Sequence, residues 1–101
     1  MSPSSTLLEE AAVRERLREH TAWQLAADGR LECELTFKNF NRAVLFVNAI
    51  AYLAETHDHH PDLALHDYKH LTIRLTTHAA GGITERDFAL LNDIDSLPRP
   101  E

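Results

Sequence analysis

The sequence has one cysteine, three glycines and more acidic than basic residues, with a formal net charge of -6. The single thiol, Cys33, cannot form an internal disulfide, and it lies in an alternating apolar run where a small buried thiol packs well. We therefore expect a reducing, cytoplasmic location. Nucleic-acid binding needs a concentrated basic face, and the chain has none, so no direct contact with nucleic acid is expected.

Long apolar runs are also missing from the chain. It has no stretch of about 18 apolar residues, so no membrane-spanning segment is predicted, and no N-terminal run resembles a signal peptide. Hydrophobic residues make up 44% of the sequence and charged residues 26%, which is typical of an ordered globular protein. We expect one domain over residues 1–101, with loose termini at 1–5 and 98–101.

The first third of the chain is predicted to form a helix and a hairpin. Residues 6–19 carry apolar side chains near helical spacing, and Thr6 with Glu9 has the pattern of a capping box. A short apolar segment at 23–26 precedes the turn sequence ADGR. Apolar and polar residues then alternate over 31–37, which predicts a second strand paired with the first.

The rest of the chain repeats this order. Asn41 is expected to cap a second helix that runs to about Glu55. The alternation in YKHLTIRLTTH predicts a strand with one core face, and the preceding DLALH could pair with it. Thr84 and Asp87 predict a capped third helix. The order α-β-β-α-β-β-α indicates an α+β two-layer sandwich, in which a four-stranded antiparallel sheet carries three helices on one face.

One segment, ETHDHHPDL at residues 55–63, contains three of the seven histidines. Histidine exchanges protons near neutral pH, so the segment fits a metal site, a proton-transfer site or ordinary polar surface. HDHH offers close-set nitrogens for a metal, but it lacks the regular ligand spacings of zinc motifs. From spacing alone, all three interpretations stay open.

The backbone around the two adjacent histidines is restricted by the proline that follows them. Proline favours an extended conformation at His60. Adjacent residues on a helix point in different directions, so His59 and His60 can face one spot only if the backbone breaks between or after them, and Pro61 supplies that break. Glu55 and His59, four residues apart, can face each other if the last turn of the second helix persists. His78 ends a predicted strand beside a Gly-Gly turn, which makes three imidazoles around one cleft plausible.

The spacing of these residues also matches a family pattern. The pattern begins with a charged residue, followed after three residues by His, then by either His or Asn, and then by Pro. After a spacer comes an aromatic residue, nine residues later a His, and after a second spacer an Asp. The matching residues here are Glu55, His59, His60, Pro61, Tyr68, His78 and Asp87. With the segments FKNFNRA and GGITERDF, the chain resembles the pterin-4a-carbinolamine dehydratases over about residues 23–94.

The resemblance implies a lyase of tetrahydrobiopterin recycling. Such an enzyme removes water from the 4a-hydroxytetrahydropterin that aromatic amino-acid hydroxylases release, and it yields quinonoid dihydropterin without a cofactor or metal. The resemblance also implies a homodimer or homotetramer. Some members of the family instead act as dimerisation partners of a transcription factor or assist the assembly of a carboxylase, which gives a non-catalytic alternative.

Site residues follow from the same resemblance. His59 and His78 are expected to be general acids, and His60 is expected to hold substrate and act as base. Glu55 and Asp87 are expected to support them. The substrate-binding residues that the resemblance implies are His59, His60, Pro61, Thr77, His78, Ala79 and Ala80.

Several other residues are assigned to packing or to the surface, and one assignment stays undecided. Tyr68 is expected to pack in the fold, whereas Trp23 could line the pterin or fill the core. Relatives often have Glu-Trp where this chain has Asp62 and Leu63, so an aromatic wall is expected to be missing. The remaining histidines are assigned to the surface: His20, His57, His66 and His70.

Overall fold

A computed structural model describes residues 5–100 of the chain. Its elements are α1 (Glu10–Leu17), β1 (Trp23–Leu25), β2 (Leu31–Thr36), α2 (Phe40–His57), β3 (Asp62–His66), β4 (His70–Leu75) and α3 (Glu85–Asp95), with one 3-10 turn at His78–Ala80. This order confirms the predicted α+β arrangement. None of the helices within residues 5–100 is both long enough and apolar enough to cross a membrane.

The four strands form one antiparallel sheet in the order β1-β2-β4-β3. Side chains alternate across a strand, and the register places Cys33 of β2 opposite Ile73 of β4. One face of the sheet is therefore apolar and packs against all three helices, as predicted. The shared core includes Val13, Leu31, Cys33, Ala43, Phe46, Ile50, Leu71, Ile73, Leu75, Phe88, Leu91 and Ile94.

The opposite face of the sheet is polar. Arg74 of β4 donates from Nε to Oε1 of Glu32 on β2 at 2.7 Å. Arg30, next to β2, reaches Oδ2 of Asp62 on β3 at 2.9 Å. No helix within residues 5–100 covers this face, because all three helices bury their apolar residues on the other side.

Helix α2 begins and ends two residues outside its predicted limits. Its N-cap is Asn39 rather than Asn41, since the Asn39 side chain accepts the N–H of Arg42 at 2.9 Å. Strand β2 ends at Thr36, so the backbone is already free to turn at Asn39. The helix continues to His57 and stops at Asp58, whose backbone is left-handed with φ 50.

Helix α1 begins without the predicted capping box. The N-cap residue is Glu9 in extended conformation, and its side chain makes no cap hydrogen bond. The N–H of Leu8 donates to the carbonyl of Ile83 at 2.8 Å, which keeps the chain extended up to Glu9. Tertiary pairing thus overrides the local sequence pattern, and the helix starts at Glu10.

Helix α3 has the predicted capping box. The Thr84 side chain caps the first turn, and Asp87 Oδ2 accepts the Thr84 N–H at 2.9 Å. Phe88 and Ile94 lie in the core, so local capping and the apolar face agree on one helix.

Two aromatic residues have definite positions. Trp23 is buried in the core and donates from Nε1 to Asp95 Oδ1 at 3.0 Å. Of its two possible roles, it therefore fills the core. Tyr68 was predicted to pack in the fold, and this is wrong. It lies in the turn between β3 and β4 with φ 55, and its side chain is 58% exposed.

Two of the four histidines that were assigned to the surface are in fact mostly covered. The ring of His20 lies 2.7 Å from a carboxylate oxygen of Asp95, and that of His57 lies 2.7 Å from one of Asp93. Both pairs attach α3 to other segments. His66 and His70 remain on the polar face of the sheet, where their rings stack with centroids 5.7 Å apart.

The thiol of Cys33 should be inert in the folded protein. Burial raises its pKa from 9.0 to about 11, and the thiolate is the reactive form. We expect almost no reaction with a disulfide reagent at pH 8 under native conditions, and complete reaction in denaturant. Because the unfolded chain loses this proton first, the free energy of unfolding should fall between pH 9.0 and about 11.

The control for this behaviour is Cys33→Ala, which should remove that part of the alkaline pH dependence while the other titrating groups keep theirs. Rapid labelling of the native protein at pH 8 would contradict the assignment.

Candidate functional site

A cavity of about 230 Å³ lies where the end of α2 meets the connection between β4 and α3. The eight residues that line it are Asp58, His59, His60, Thr76, Thr77, His78, Ala79 and Arg86. The hollow therefore brings together the three histidines that the sequence singled out. Two come from the residues just after α2, and the third begins the 3-10 turn.

The end of α2 separates the two adjacent histidines. The N–H of His59 donates to the carbonyl of Ala54 at 3.1 Å, which with the left-handed Asp58 closes the helix in a Schellman-type turn. The break thus falls before His59, and not between or after the histidines as expected. His59 is consequently buried, with 7% of its surface exposed, while His60 stays exposed.

The buried histidine binds a carboxylate on α3. His59 Nε2 lies 2.6 Å from Asp87 Oδ1, and Asp87 is fully buried. The expected pairing of Glu55 with His59 is therefore wrong. Glu55 pairs instead with His60, with Oε2 and Nε2 2.5 Å apart on the exposed surface. The left-handed turn at Asp58 rotates His59 away from α2 and toward α3.

Asp87 receives hydrogen bonds from three segments. Its Oδ2 accepts from the Thr77 hydroxyl at 2.8 Å and from the Thr84 N–H at 2.9 Å. Thr77 Oγ1 also lies 2.8 Å from Thr84 Oγ1. Since Thr77 donates to the carboxylate, its oxygen accepts from the Thr84 hydroxyl. A buried carboxylate is costly unless it is bonded in this way.

The network also assigns the tautomer of His59. A carboxylate only accepts hydrogen bonds, so the proton between His59 and Asp87 lies on Nε2 of the ring. Nδ1 is then the nitrogen that can give or take a proton from a ligand. Asp87 therefore orients the ring and selects its reactive atom.

His78 has the opposite environment. It begins the 3-10 turn, whose backbone is held by donation from the N–H of Ala80 to the Thr77 carbonyl at 3.0 Å. Gly81, with φ 79, ends the turn. The His78 ring is exposed, and it makes no hydrogen bond to any residue in the described part of the chain, 5–100. It is free to contact a ligand.

The cavity differs in part from the set of residues implied by the family pattern. Pro61 and Ala80 do not line it, and neither does Glu55. Asp87 does not line the cavity either, but it contacts the ring of His59, which does. Three lining residues had no predicted role: Asp58, Thr76 and Arg86. Arg86 lies inside the quoted segment GGITERDF, so its place in the first turn of α3 was the available signal.

The three imidazoles do not form a metal-ligand set. Within residues 5–100, no group of three or more His, Cys, Asp or Glu side chains is arranged to hold a metal ion. One ring is buried on a carboxylate, one pairs with Glu55 at the surface, and one has no partner among the described residues. The three rings therefore have three different surroundings.

Fold and cavity together define a small α+β protein with a histidine-lined site. The sequence profile of the family described as Pterin 4 alpha carbinolamine dehydratase matches residues 6–97, and the chain belongs to this family. The match includes α1 and so extends beyond the span of about 23–94 that the resemblance covered.

Relatives carry provisional names as pterin-4-alpha-carbinolamine dehydratases. One from Chloroflexus aggregans is 41% identical over 90 residues, which cover 89% of this chain and 95% of the relative. One from Aquifex aeolicus is 43% identical over 90 residues, covering 89% of each.

Solved structures show the same fold. A transcriptional coactivator/pterin dehydratase from Brucella melitensis superimposes with a TM-score of 0.82 at 30% identity, over 88% of this chain and 95% of that one. A pterin dehydratase-like RuBisCO assembly factor of the alpha-carboxysome gives a TM-score of 0.62 at 22% identity, over 76% and 89%. The second similarity concerns the fold alone.

Replacing Asp87 should disturb His59 more than it disturbs the rest of the fold. Asp87→Asn keeps the shape but replaces one of the two acceptor oxygens by an NH2 donor, which then faces either the His59 ring or the Thr77 and Thr84 donors. We therefore expect a loss of about 2–4 kcal/mol in the free energy of unfolding. Imidazole ¹⁵N shifts should show that His59 loses its single tautomer. The matched control is Asp93→Asn, an exposed partner of His57 on the same helix, which should cost below about 1 kcal/mol. Equal losses in both variants would contradict the network.

Proposed function

We propose that this chain catalyses the dehydration of 4a-hydroxytetrahydropterin to quinonoid dihydropterin by acid–base chemistry of its histidines. The observation that carries the proposal is one cavity lined by three imidazoles in three different surroundings. Membership of the pterin dehydratase family supports the choice of substrate.

The reaction needs a proton at one atom and its removal at another. The bond from C4a to the hydroxyl oxygen breaks with its electron pair, and protonation turns the poor leaving group hydroxide into water. The proton on the adjacent ring nitrogen leaves at the same time, and its electron pair forms the new C=N bond. No net oxidation occurs, so we propose that neither a cofactor nor a metal takes part.

We assign the proton donors by their surroundings. His59, held at Nε2 by Asp87, acts as the imidazolium: it delivers a second proton from Nδ1 to the leaving oxygen and returns to the neutral ring with its proton on Nε2. His78, exposed and without a described partner, serves a hydroxyl on the other face of the ring. A well-placed acid or base contributes typically about 10² to 10⁴ in rate.

The third histidine is assigned to binding and to accepting the ring proton. His60 lies next to the Glu55 carboxylate, and the contact between Nε2 and Oε2 orients the ring. Pro61 restricts the backbone of His60 to an extended form. In this proposal Glu55 and Pro61 act through His60.

The 3-10 turn supplies the wall on which a flat ring lies. Ala79 lines the cavity and Ala80 follows it in the turn. Both are small, and Thr77 has its hydroxyl occupied by Asp87. The backbone of these residues can therefore approach a heterocycle closely without competing side chains. We propose that the pterin lies between this turn and the His59–His60 segment.

Self-association is part of the proposal. Helix α2 exposes Leu45 and Tyr52, which lie seven residues apart and so share one helix face. Among the strands of residues 5–100, β3 lies at the edge of the sheet and pairs with β4 alone. We propose a homodimer or homotetramer in which a second copy covers the exposed face of α2.

The proposed setting is cytoplasmic, alongside an aromatic amino-acid hydroxylase that releases the substrate. The unpaired, buried Cys33 is compatible with a reducing compartment.

A second candidate is a role in protein interaction. The Brucella melitensis protein, which is 30% identical, is described both as a transcriptional coactivator and as a pterin dehydratase. Variants of the cavity histidines separate the two roles, because an interaction role would survive the loss of all proton carriers.

Loss of single histidines should lower the rate steeply. We expect His59→Ala and His78→Ala each to reduce kcat by about 10²-fold or more, after subtraction of the uncatalysed reaction. The assay follows dehydration of synthetic 4a-hydroxytetrahydropterin by absorbance. The control is His66→Ala, which removes an imidazole from the far face of the sheet and should leave kcat unchanged. Unchanged kinetics in both cavity variants would refute the proposal.

The assembly should have a multiple of the mass of one chain. Light scattering after size exclusion should give two or four copies, because burial of apolar side chains such as Leu45 and Tyr52 favours association. The double variant Leu45→Ser, Tyr52→Ser should shift the mass toward one copy. A monomer at every concentration of the unmodified protein would be inconsistent with this arrangement.

A further inference from the structure

Arg86 lines the histidine cavity without an assigned role. It lies in the first turn of α3, and its Nη2 donates to the backbone carbonyl of Asp58 at 2.5 Å. Within residues 5–100 its guanidinium forms no ion pair with a carboxylate. The N-terminal end of a helix carries positive partial charge, so a cation there is unfavourable and needs a compensating contact. Asp58 provides that contact.

Asp58 itself has a backbone that needs support. Its φ of 50 is in the left-handed region, where a residue with a Cβ atom is sterically less favourable than glycine. Glycine is the usual residue at this place after a helix. The hydrogen bond from Arg86 has a charged donor, which makes it stronger than one between neutral groups. It fixes the peptide that joins Asp58 to His59.

Two consecutive residues of α3 therefore hold one histidine at two points. Arg86 holds the backbone just before His59, and Asp87 holds its ring at 2.6 Å. The first turn of α3 is itself rigid, because the N–H of Arg86 donates to Thr84 Oγ1 at 3.1 Å. Without the backbone contact, the turn at Asp58 could relax, and the ring would have to follow.

We propose that Arg86 is a positioning residue, which locks the left-handed end of α2 and so holds His59 on Asp87 and apart from His60. The kinetic part of this inference rests on the proposed dehydratase function. Its structural part does not, because it concerns the conformation of the free protein.

The test combines Arg86→Gln with Asp58→Gly. Arg86→Gln should lower kcat by about 10- to 100-fold, since small displacements of a reacting group have effects of this size, and KM should change less. Amide hydrogen exchange at His59 should become about tenfold faster. Glycine adopts the left-handed conformation without strain, so adding Asp58→Gly to Arg86→Gln should recover about tenfold in kcat.

Two further variants sharpen the test. Arg86→Lys keeps the charge and one donor, and it should fall between wild type and Arg86→Gln. Arg42→Gln is the matched control, because Arg42 also lies in the first turn of a helix but not in the cavity. It should change neither kcat nor exchange at His59.

The outcomes separate this inference from the function it builds on. An inactive wild-type protein would refute the dehydratase proposal, while faster exchange at His59 in Arg86→Gln would still support the positioning role. Unchanged exchange at His59 in Arg86→Gln would overturn the positioning role. If the wild-type protein is active, a double variant that recovers no kcat would overturn it as well.

Discussion

The hydrogen bond between His59 and Asp87 is the interaction on which the site depends. A fully buried carboxylate is tolerated only when donors replace the water that it has lost. Asp87 has three such donors, from the His59 ring, the Thr77 hydroxyl and the Thr84 backbone. They belong to the end of α2, the β4–α3 connection and the start of α3. Hydrogen bonds to this one carboxylate thus hold three segments of the chain together.

This arrangement links folding to chemistry. In its local role Asp87 completes the capping box that starts α3, and in its long-range role it fixes the tautomer and direction of His59. In the proposed function, a residue that stabilises a helix end also prepares an imidazole for proton transfer. Stability and reactivity of the site are therefore expected to change together when this carboxylate is altered.

The strong local signals in the sequence predicted most of the fold. Alternation in β2 and β4 and the Thr84–Asp87 capping box gave the element order and the core face, because short-range periodicity follows directly from strand and helix geometry. The start of α1 was mispredicted because the contact from Leu8 to Ile83 is a tertiary one. Tyr68 was mispredicted because a turn, and not the strand, contains it.

The site was predicted less completely for a related reason. The sequence brought together His59, His60 and His78, but their partners depend on the left-handed backbone at Asp58. Local rules do not predict that conformation in a residue other than glycine. Because of this conformation, His59 contacts Asp87 and not Glu55, and the carbonyl of Asp58 accepts a hydrogen bond from Arg86. The cavity residues that the sequence did not predict are Asp58, Thr76 and Arg86. Of these, Asp58 and Arg86 contact each other only because the backbone turns at Asp58.

A crystal of the protein with a bound 7,8-dihydropterin tests the central claim most directly. The account predicts a flat ring inside the cavity, between the His59–His60 segment and the turn at Thr77–Ala80, with His59 Nδ1 and the His78 ring within hydrogen-bond reach of its edge. A ring bound elsewhere, or a cavity in which His59 has left Asp87 and faces solvent, would contradict it.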